Sequence, residues 1–263
     1  KLPGRQLMPP HAGVPGWLRP DWPAPPRVHA LMSTRRARPA AGGADFDPGR
    51  DGSEPAAAAN RQQLAIELGA RPRWLRQVHG AEVVRVDRWD APEAPVADAA
   101  VSATPGVACV VLVADCLPVL LCDDHGRAVA AAHAGWRGLA AGVLERSVAS
   151  LCDAAGCAPH EVQAWLGPCI GPRRFEVGAD VLQAFGVDPD DGPSTCFVRR
   201  DRPDGSRRWL ADLPALARQR LARAGVQRNR GGGWCTVEDA SAFFSFRRDG
   251  AVGRMAAAIA LVD

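Results

Sequence analysis

The chain has 263 residues and 47% hydrophobic content, enough to bury a large core without disulfides or an obligatory partner. Its 32 basic and 29 acidic residues leave a net charge of +3 and are interspersed, so no like-charge block marks a nucleic-acid arm. Lys1 is the single lysine and tyrosine is absent, which excludes lysine Schiff-base, P-loop lysine and phenolic acid-base chemistry. His, Cys, Asp, Glu and Arg remain as catalytic candidates, and arginine, forked and always charged, supplies nearly all the positive charge.

In chain order, the Pro- and Trp-rich residues 1–26 read as an irregular arm, and 27–263 as a single catalytic domain. The chain opens on Lys1 rather than methionine, so a missing native N-terminus is expected. Pro9, Pro10, Pro15 and Pro20 interrupt any signal-like apolar stretch, and no apolar run reaches a membrane span. The eight cysteines sit in apolar surroundings and read as free thiols in a reducing cytoplasm. Arg27 to Thr34 predicts a strand, and 35–52, with Gly42-Gly43 and Pro48-Gly49, a mobile loop. Ser53 is the expected cap of a helix that carries Glu54 and Pro55 in its first turn and stops at Gly69.

Trp74 to Val78 and Val83 to Asp87 read as two short strands flanking a reversal at His79-Gly80. Val107 to Ala114 and Pro118 to Cys122 are apolar strand candidates. Asp123-Asp124-His125-Gly126 forms a turn, and Ala128 to Ala132 returns as a strand. Leu139, Val143, Leu144, Val148 and Leu151 recur at helical spacing up to Gly156. A strand at 162–166, the loop 167–172 and a helix over 179–185 follow. A β pair at 196–199 and 207–210 leads into a helix from Asp212 to Ala224, and a strand over 255–261 closes the chain. The order describes an α/β (mixed α+β) protein: a mixed β-sandwich flanked by helices.

Centring the 116–133 hairpin between Asp124 and His125 places Cys116 opposite His133, with Cβ atoms roughly 5 Å apart. Facing thiol and imidazole groups suit two ligands of one zinc ion. His79 at its own reversal supplies a third, leaving one position open for water. The same facing pair also describes a metal-free dyad with Cys116 as nucleophile and His133 as base. A closed structural site needs a fourth ligand, for which Cys109, Cys122 and Cys169 are candidates. Asp115 falls on the opposite strand face and reads as a supporting or turn-forming acid. His160-Glu161 lacks the second His of a zincin motif, and six His and three Met supply too few ligands for several copper centres.

Five ordered segments carry a family resemblance: Gln77-Val78-His79-Gly80, Ala114-Asp115-Cys116-Leu117-Pro118-Val119, His133-Ala134-Gly135-Trp136-Arg137-Gly138, Leu166-Gly167-Pro168-Cys169-Ile170-Gly171 and Phe243-Phe244-Ser245-Phe246-Arg247-Arg248-Asp249-Gly250. The chain resembles the YfiH family over roughly residues 27 to 261. That family is known also as the peptidoglycan editing factor, purine nucleoside phosphorylase or "polyphenol oxidase (laccase)" domain family. The resemblance implies zinc on His79, Cys116 and His133, a YfiH-like fold akin to cysteine hydrolases, and a cytoplasmic monomer. It implies phosphorolysis of adenosine, inosine, guanosine or methylthioadenosine together with adenosine deamination. As an alternative it implies an amidase removing L-serine from UDP-MurNAc-L-Ser. On this reading Gln77 orients ligands, and Arg35, Arg61, Arg137 or Arg247 holds phosphate by bidentate contacts, unless Arg137 and Arg247 only brace loops. The small-molecule substrate is thus a nucleoside with phosphate, or a peptidoglycan precursor, without nucleic acid or membrane. Residues 36–52 depart from the family pattern, which resumes at Asn60-Arg61, so one pocket wall differs.

Overall fold

The computed structural model describes residues 16–37, 45–88, 90–190, 194–250 and 253–263. Two sheets lie face to face. The first, in spatial order, comprises Trp17–Leu18, Val28–Ser33, Met255–Leu261, Val107–Val113 and Arg71–Arg73. The second comprises Arg228–Gly231, Val162–Leu166, Leu117–Asp123, Val129–Ala134, Ala99–Ser102 and Val83–Arg85. Both mix parallel and antiparallel pairs. A small third sheet joins Glu176–Val177, Trp209–Ala211 and Phe197–Arg199.

Alternation along the strands explains the layering. In Val107–Val113, Cys109, Val111 and Val113 face inward and meet Leu120, Cys122, Val129 and Ala131 of the second sheet. Ala108 and Val110 face outward with Ala256, Ala258 and Ala260, and these small residues let the helix Pro55–Leu68 seat Leu64 and Leu68 against the sheet. The other face of the second sheet offers Val119, Leu121, Ala130 and Ala132 to the helices Val143–Ala155 and Leu213–Arg223. The result is helix, sheet, sheet, helices. Strands covered on both faces read as near-continuous apolar runs, as the sequence shows at 107–113 and 117–122.

Several expectations need correction. The 117–134 hairpin pairs Pro118 with His133 and Leu117 with Ala134, two residues from the expected register. Asp123 causes the shift: its carboxylate accepts from the backbone N–H groups of His125, Arg127 and Ala128 and widens the turn. Because side chains repeat every two residues, the two-residue slip keeps each strand face where it was expected. Trp74 to Val78 is not a strand. The chain pairs with Val107–Val113 only through Arg71–Arg73, and beyond it the Gln77 side-chain amide bonds both Leu112 O (2.9 Å) and Leu112 N (2.8 Å), replacing a backbone partner.

Glu54, not Ser53, occupies the N-cap of the first helix, and the Ser53 hydroxyl bonds Asp51. The expected helix around Leu139 is two helices, Trp136–Ala140 and Val143–Ala155, separated by Gly142 at φ 92°. Within the supposed mobile loop Phe46 and Pro48 are buried, Phe46 edge-on against Trp17, while Arg50 and Asp51 are exposed. Residues 1–15 and 38–44, which carry most of the arm and part of that loop, lie outside the described residues. No helix among the described residues is long and apolar enough to cross a membrane.

Candidate metal centre

His79, Cys116 and His133 converge, their ligand atoms lying within 4.8 Å of one another. Among the described residues this is the one group of three or more His, Cys, Asp or Glu side chains so arranged. His133 is buried near the end of Val129–Ala134, Cys116 is half-buried just before Leu117–Asp123, and His79 is exposed on a loop. The two imidazoles stand edge to face, with centroids 4.8 Å apart.

Asp98, fully buried beside the strand Ala99–Ser102, assembles the centre. Its Oδ1 accepts from His133 Nδ1 (2.8 Å) and the His79 backbone N–H (2.9 Å). Its Oδ2 accepts from the backbone N–H groups of Val78 (3.1 Å) and Gly80 (2.7 Å). The bond to Nδ1 leaves His133 Nε2 for an ion, the usual carboxylate–imidazole arrangement behind a metal ligand. The three backbone bonds hold His79 at φ 61°, a left-handed conformation that costs a non-glycine residue on the order of 1–2 kcal/mol. Among the described non-glycine residues only His79 and Asp115 have positive φ, and both belong to this site.

The motif glycines provide room. A Cβ on Gly135 would lie 3.0 Å from Cys116 Sγ and 3.2 Å from His79 Cδ2, and one on Gly138 would lie 2.5 Å from the Gly80 carbonyl oxygen. Both loops therefore approach only because these residues lack side chains.

Electrostatics favour a ligand set. Burial would push the Cys116 thiol up, but the charges and hydrogen bonds of His133 and His79 outweigh it and bring it down to about 6. Burial likewise opposes charge on His133, yet the Cys116 thiolate and Asp98 raise it. For Asp98, burial is outweighed by the His133 ring and the backbone donors, which hold the carboxyl below its ordinary range. Thiolate and imidazole donors at these separations fit a borderline-soft divalent ion such as zinc, which takes both. Cys109, Cys122 and Cys169 do not join the cluster. They are buried, burial pushes each thiol up, and all eight cysteines are free.

The ligands lie in the wall of a cavity of about 610 Å³, within the range of small-molecule sites. Trp136, Ile170, Phe175, Leu213 and Phe246 give it an apolar side. Asp115 and Gln77 also line it, but both are engaged with the protein. Asp115 accepts from the Thr236 and Ser245 hydroxyls and the Arg247 backbone N–H, pinning two distant loops to the Cys116 segment.

Of the four arginines expected to meet substrate, Arg247 lines the cavity, with Nη1 on the Glu176 carbonyl. The other three are absent from its wall. Arg35 is paired with Asp45, Arg61 is bonded to the Pro48 and Gly49 carbonyls and stacks on Trp74, and Arg137 stacks on Trp136. Sequence reasoning missed Asp98, Arg50, Arg76 and Arg254, the last three of which line the cavity. Only Asp98 left a signal, as an acid heading the apolar run Ala99-Ala100-Val101, where burial demands partners.

The family model described as "Multi-copper polyphenol oxidoreductase laccase" matches residues 38–262. A purine nucleoside phosphorylase of Pseudomonas aeruginosa is 47% identical over 256 residues, 94% of this chain and 99% of its own length. Purine nucleoside phosphorylase YfiH of Escherichia coli (strain K12) is 44% identical over 253 residues, covering 92% and 98%. A Neisseria meningitidis crystal structure superposes with TM-score 0.83 at 44% identity, covering 95% of this chain and all of that one. YlmD from Geobacillus stearothermophilus superposes with TM-score 0.82 at 29% identity, covering 96% and 98%. With its matching fold and motifs, the chain belongs to this laccase-described family, the YfiH family.

Proposed function

We propose that the protein is a zinc-dependent purine nucleoside phosphorylase acting on adenosine, inosine, guanosine or methylthioadenosine, with adenosine deamination as a second reaction of the same site. The observation that carries this reading is the three-ligand cluster in the wall of a nucleoside-sized cavity, with aromatic and aliphatic side chains and arginines around it. The names of the relatives support the same substrate class.

In phosphorolysis a phosphate oxygen bonds to the anomeric carbon as the bond from that carbon to the purine nitrogen breaks. The base leaves with the electron pair and takes up a proton. His79, Cys116 and His133 would hold the zinc, which when bound supplies Lewis acidity to a water or substrate oxygen. Trp136, Phe175 and Phe246 offer apolar surface for a base. Asp98 keeps the His133 proton on Nδ1, and Asp115 holds the start of the helix Phe246–Asp249 against the Cys116 segment.

A second reading has its own observation. Cys116 lies beside His133, which is hydrogen-bonded to Asp98, and its thiol is depressed, an order of groups that also suits a metal-free cysteine hydrolase. The experiment measures metal content and assays inosine plus phosphate, adenosine and UDP-MurNAc-L-Ser in parallel, before and after chelation. Stoichiometric zinc with phosphorolysis lost on removal and restored on return is expected. Full activity in metal-free protein that iodoacetamide destroys would establish the cysteine hydrolase instead, and turnover of the muramyl precursor alone would establish the amidase.

A further inference from the structure

Of the eight cysteines, only Cys116 belongs to the metal centre. Cys109, Cys122, Cys169 and Cys196 are buried, and the half-buried Cys235 accepts the Gly171 backbone N–H at its sulfur (3.3 Å). That leaves Cys152 and Cys157. Both are half-buried, at the margin of the core between the second sheet and its helices.

Their placement follows from how the helix Val143–Ala155 ends. In an uninterrupted helix, residues five apart point about 140° away from each other. Gly156, left-handed at φ 61°, stops the helix and turns the chain back. The Cys152 carbonyl then accepts from both the Gly156 N–H and the Cys157 N–H (3.1 Å), and the second of these is the closing bond of a Schellman cap. Such a cap brings the side chain after the glycine against that of the residue whose carbonyl closes it, a contact usually made by apolar groups. Here both are cysteines. A backbone bond of this length holds the two Cα atoms roughly 5 to 6.5 Å apart, within the span of a disulfide. The thiols also act on each other: burial raises both, the bond to Cys157 lowers Cys152, and the Cys152 charge and bond raise Cys157.

We propose that Cys152 and Cys157 are a modification site, joined by an intramolecular disulfide when the protein meets a low-molecular-weight disulfide such as oxidised glutathione. One cysteine thiolate attacks a sulfur of the oxidant, forming a mixed disulfide and releasing one glutathione. The second attacks the protein sulfur of that mixed disulfide, and the other glutathione leaves. Both protein sulfurs are oxidised, the oxidant is reduced to two thiols, and the two cysteine protons end on them. Burial disfavours the thiolates, so exchange is slow, and the reduced form gains no thiolate stabilisation of the kind that makes a disulfide labile. The bond fastens the helix end to the segment entering the strand Val162–Leu166, which pairs with Leu117–Asp123, the strand that follows the Cys116 ligand.

The test exposes zinc-loaded protein to oxidised glutathione and blocks the remaining free thiols with iodoacetamide. Reduction and labelling with N-ethylmaleimide then mark the thiols that had been oxidised, and mass spectrometry locates them. The maleimide label is expected on Cys152 and Cys157 together, with Tm raised by about 5 °C before reduction. Cys152→Ala and Cys157→Ala are expected to keep the parent's zinc stoichiometry, to hold a glutathione on the remaining thiol, and to show no such rise. The parent alone decides whether the bond forms. A glutathione that persists on its Cys152 or Cys157, a label on Cys169 and Cys235 in place of the pair, a disulfide-linked dimer, or the bond formed without a rise in Tm would each overturn the proposal.

Discussion

Replacing Asp98 with Asn should dismantle the metal centre while barely changing side-chain volume. Each carboxylate oxygen accepts two bonds: Oδ1 from His133 Nδ1 and His79 N, Oδ2 from Val78 N and Gly80 N. An amide has one acceptor oxygen, so whichever way it is turned, two donors face an NH2 group. Each buried donor left without a partner costs about 1–3 kcal/mol, and two sum to about 4 kcal/mol. For a chain of this size that corresponds to a fall in Tm on the order of 10 °C.

Where the amide nitrogen replaces Oδ1, His133 can satisfy it only by accepting at Nδ1. That moves its proton to Nε2, the nitrogen an ion requires. Loss of the backbone bonds also frees His79 from φ 61°. Zinc affinity should fall roughly 10- to 100-fold, as for other supporting carboxylates. Competition with a chromophoric chelator measures affinity, and thermal unfolding of the metal-free protein measures stability. Asp98→Asn binding zinc as tightly as the parent, with a Tm within about a degree of it, would refute the assembly role.

Gly138→Ala would set a methyl group 2.5 Å from the Gly80 carbonyl oxygen, and relief requires the His79 loop to retreat. About 1–3 kcal/mol of destabilisation and reduced zinc stoichiometry are expected, read by urea unfolding and metal analysis. Asp123 gives a pH prediction. Burial opposes its charge, but the donors of Ala128, Arg127 and His125 outweigh it and hold the carboxyl below its ordinary value of 3.8. A depressed folded pKa contributes stability that is full above the unfolded value and lost as pH falls through the folded one. Asp123→Asn should therefore destabilise at neutral pH by about 2 kcal/mol, with the gap to the parent narrowing in urea midpoints below pH 4.

Much of the architecture was legible in local pattern. Apolar runs at 107–113 and 117–122, the glycine stops at Gly69 and Gly156, and the helix start at Asp212, which the fold makes the N-cap of Leu213–Arg223, are short-range signals, and each marks its element in the fold. The hairpin was legible too, but its register was not. Three side-chain bonds from Asp123 decide the width of the turn, and a chain pattern of period two cannot distinguish a slip of two residues.

The sequence by itself picked out the three candidate ligands that the fold brings together: His79 before Gly80, Cys116 after an apolar run, and His133 before Gly135 and Gly138. Only the tertiary structure decided what holds them. Asp98 approaches His133 from just before a neighbouring strand, Gln77 borrows the backbone of Leu112, and Asp47 accepts from the Arg254 backbone. These contacts join residues far apart in the chain, so their spacing carries no periodic or motif signal. For the arginines the division is sharper. Composition announced that guanidiniums would carry the positive charge, but whether one meets substrate or braces a loop depends on burial and neighbouring carboxylates, which exist only once the sheets have packed.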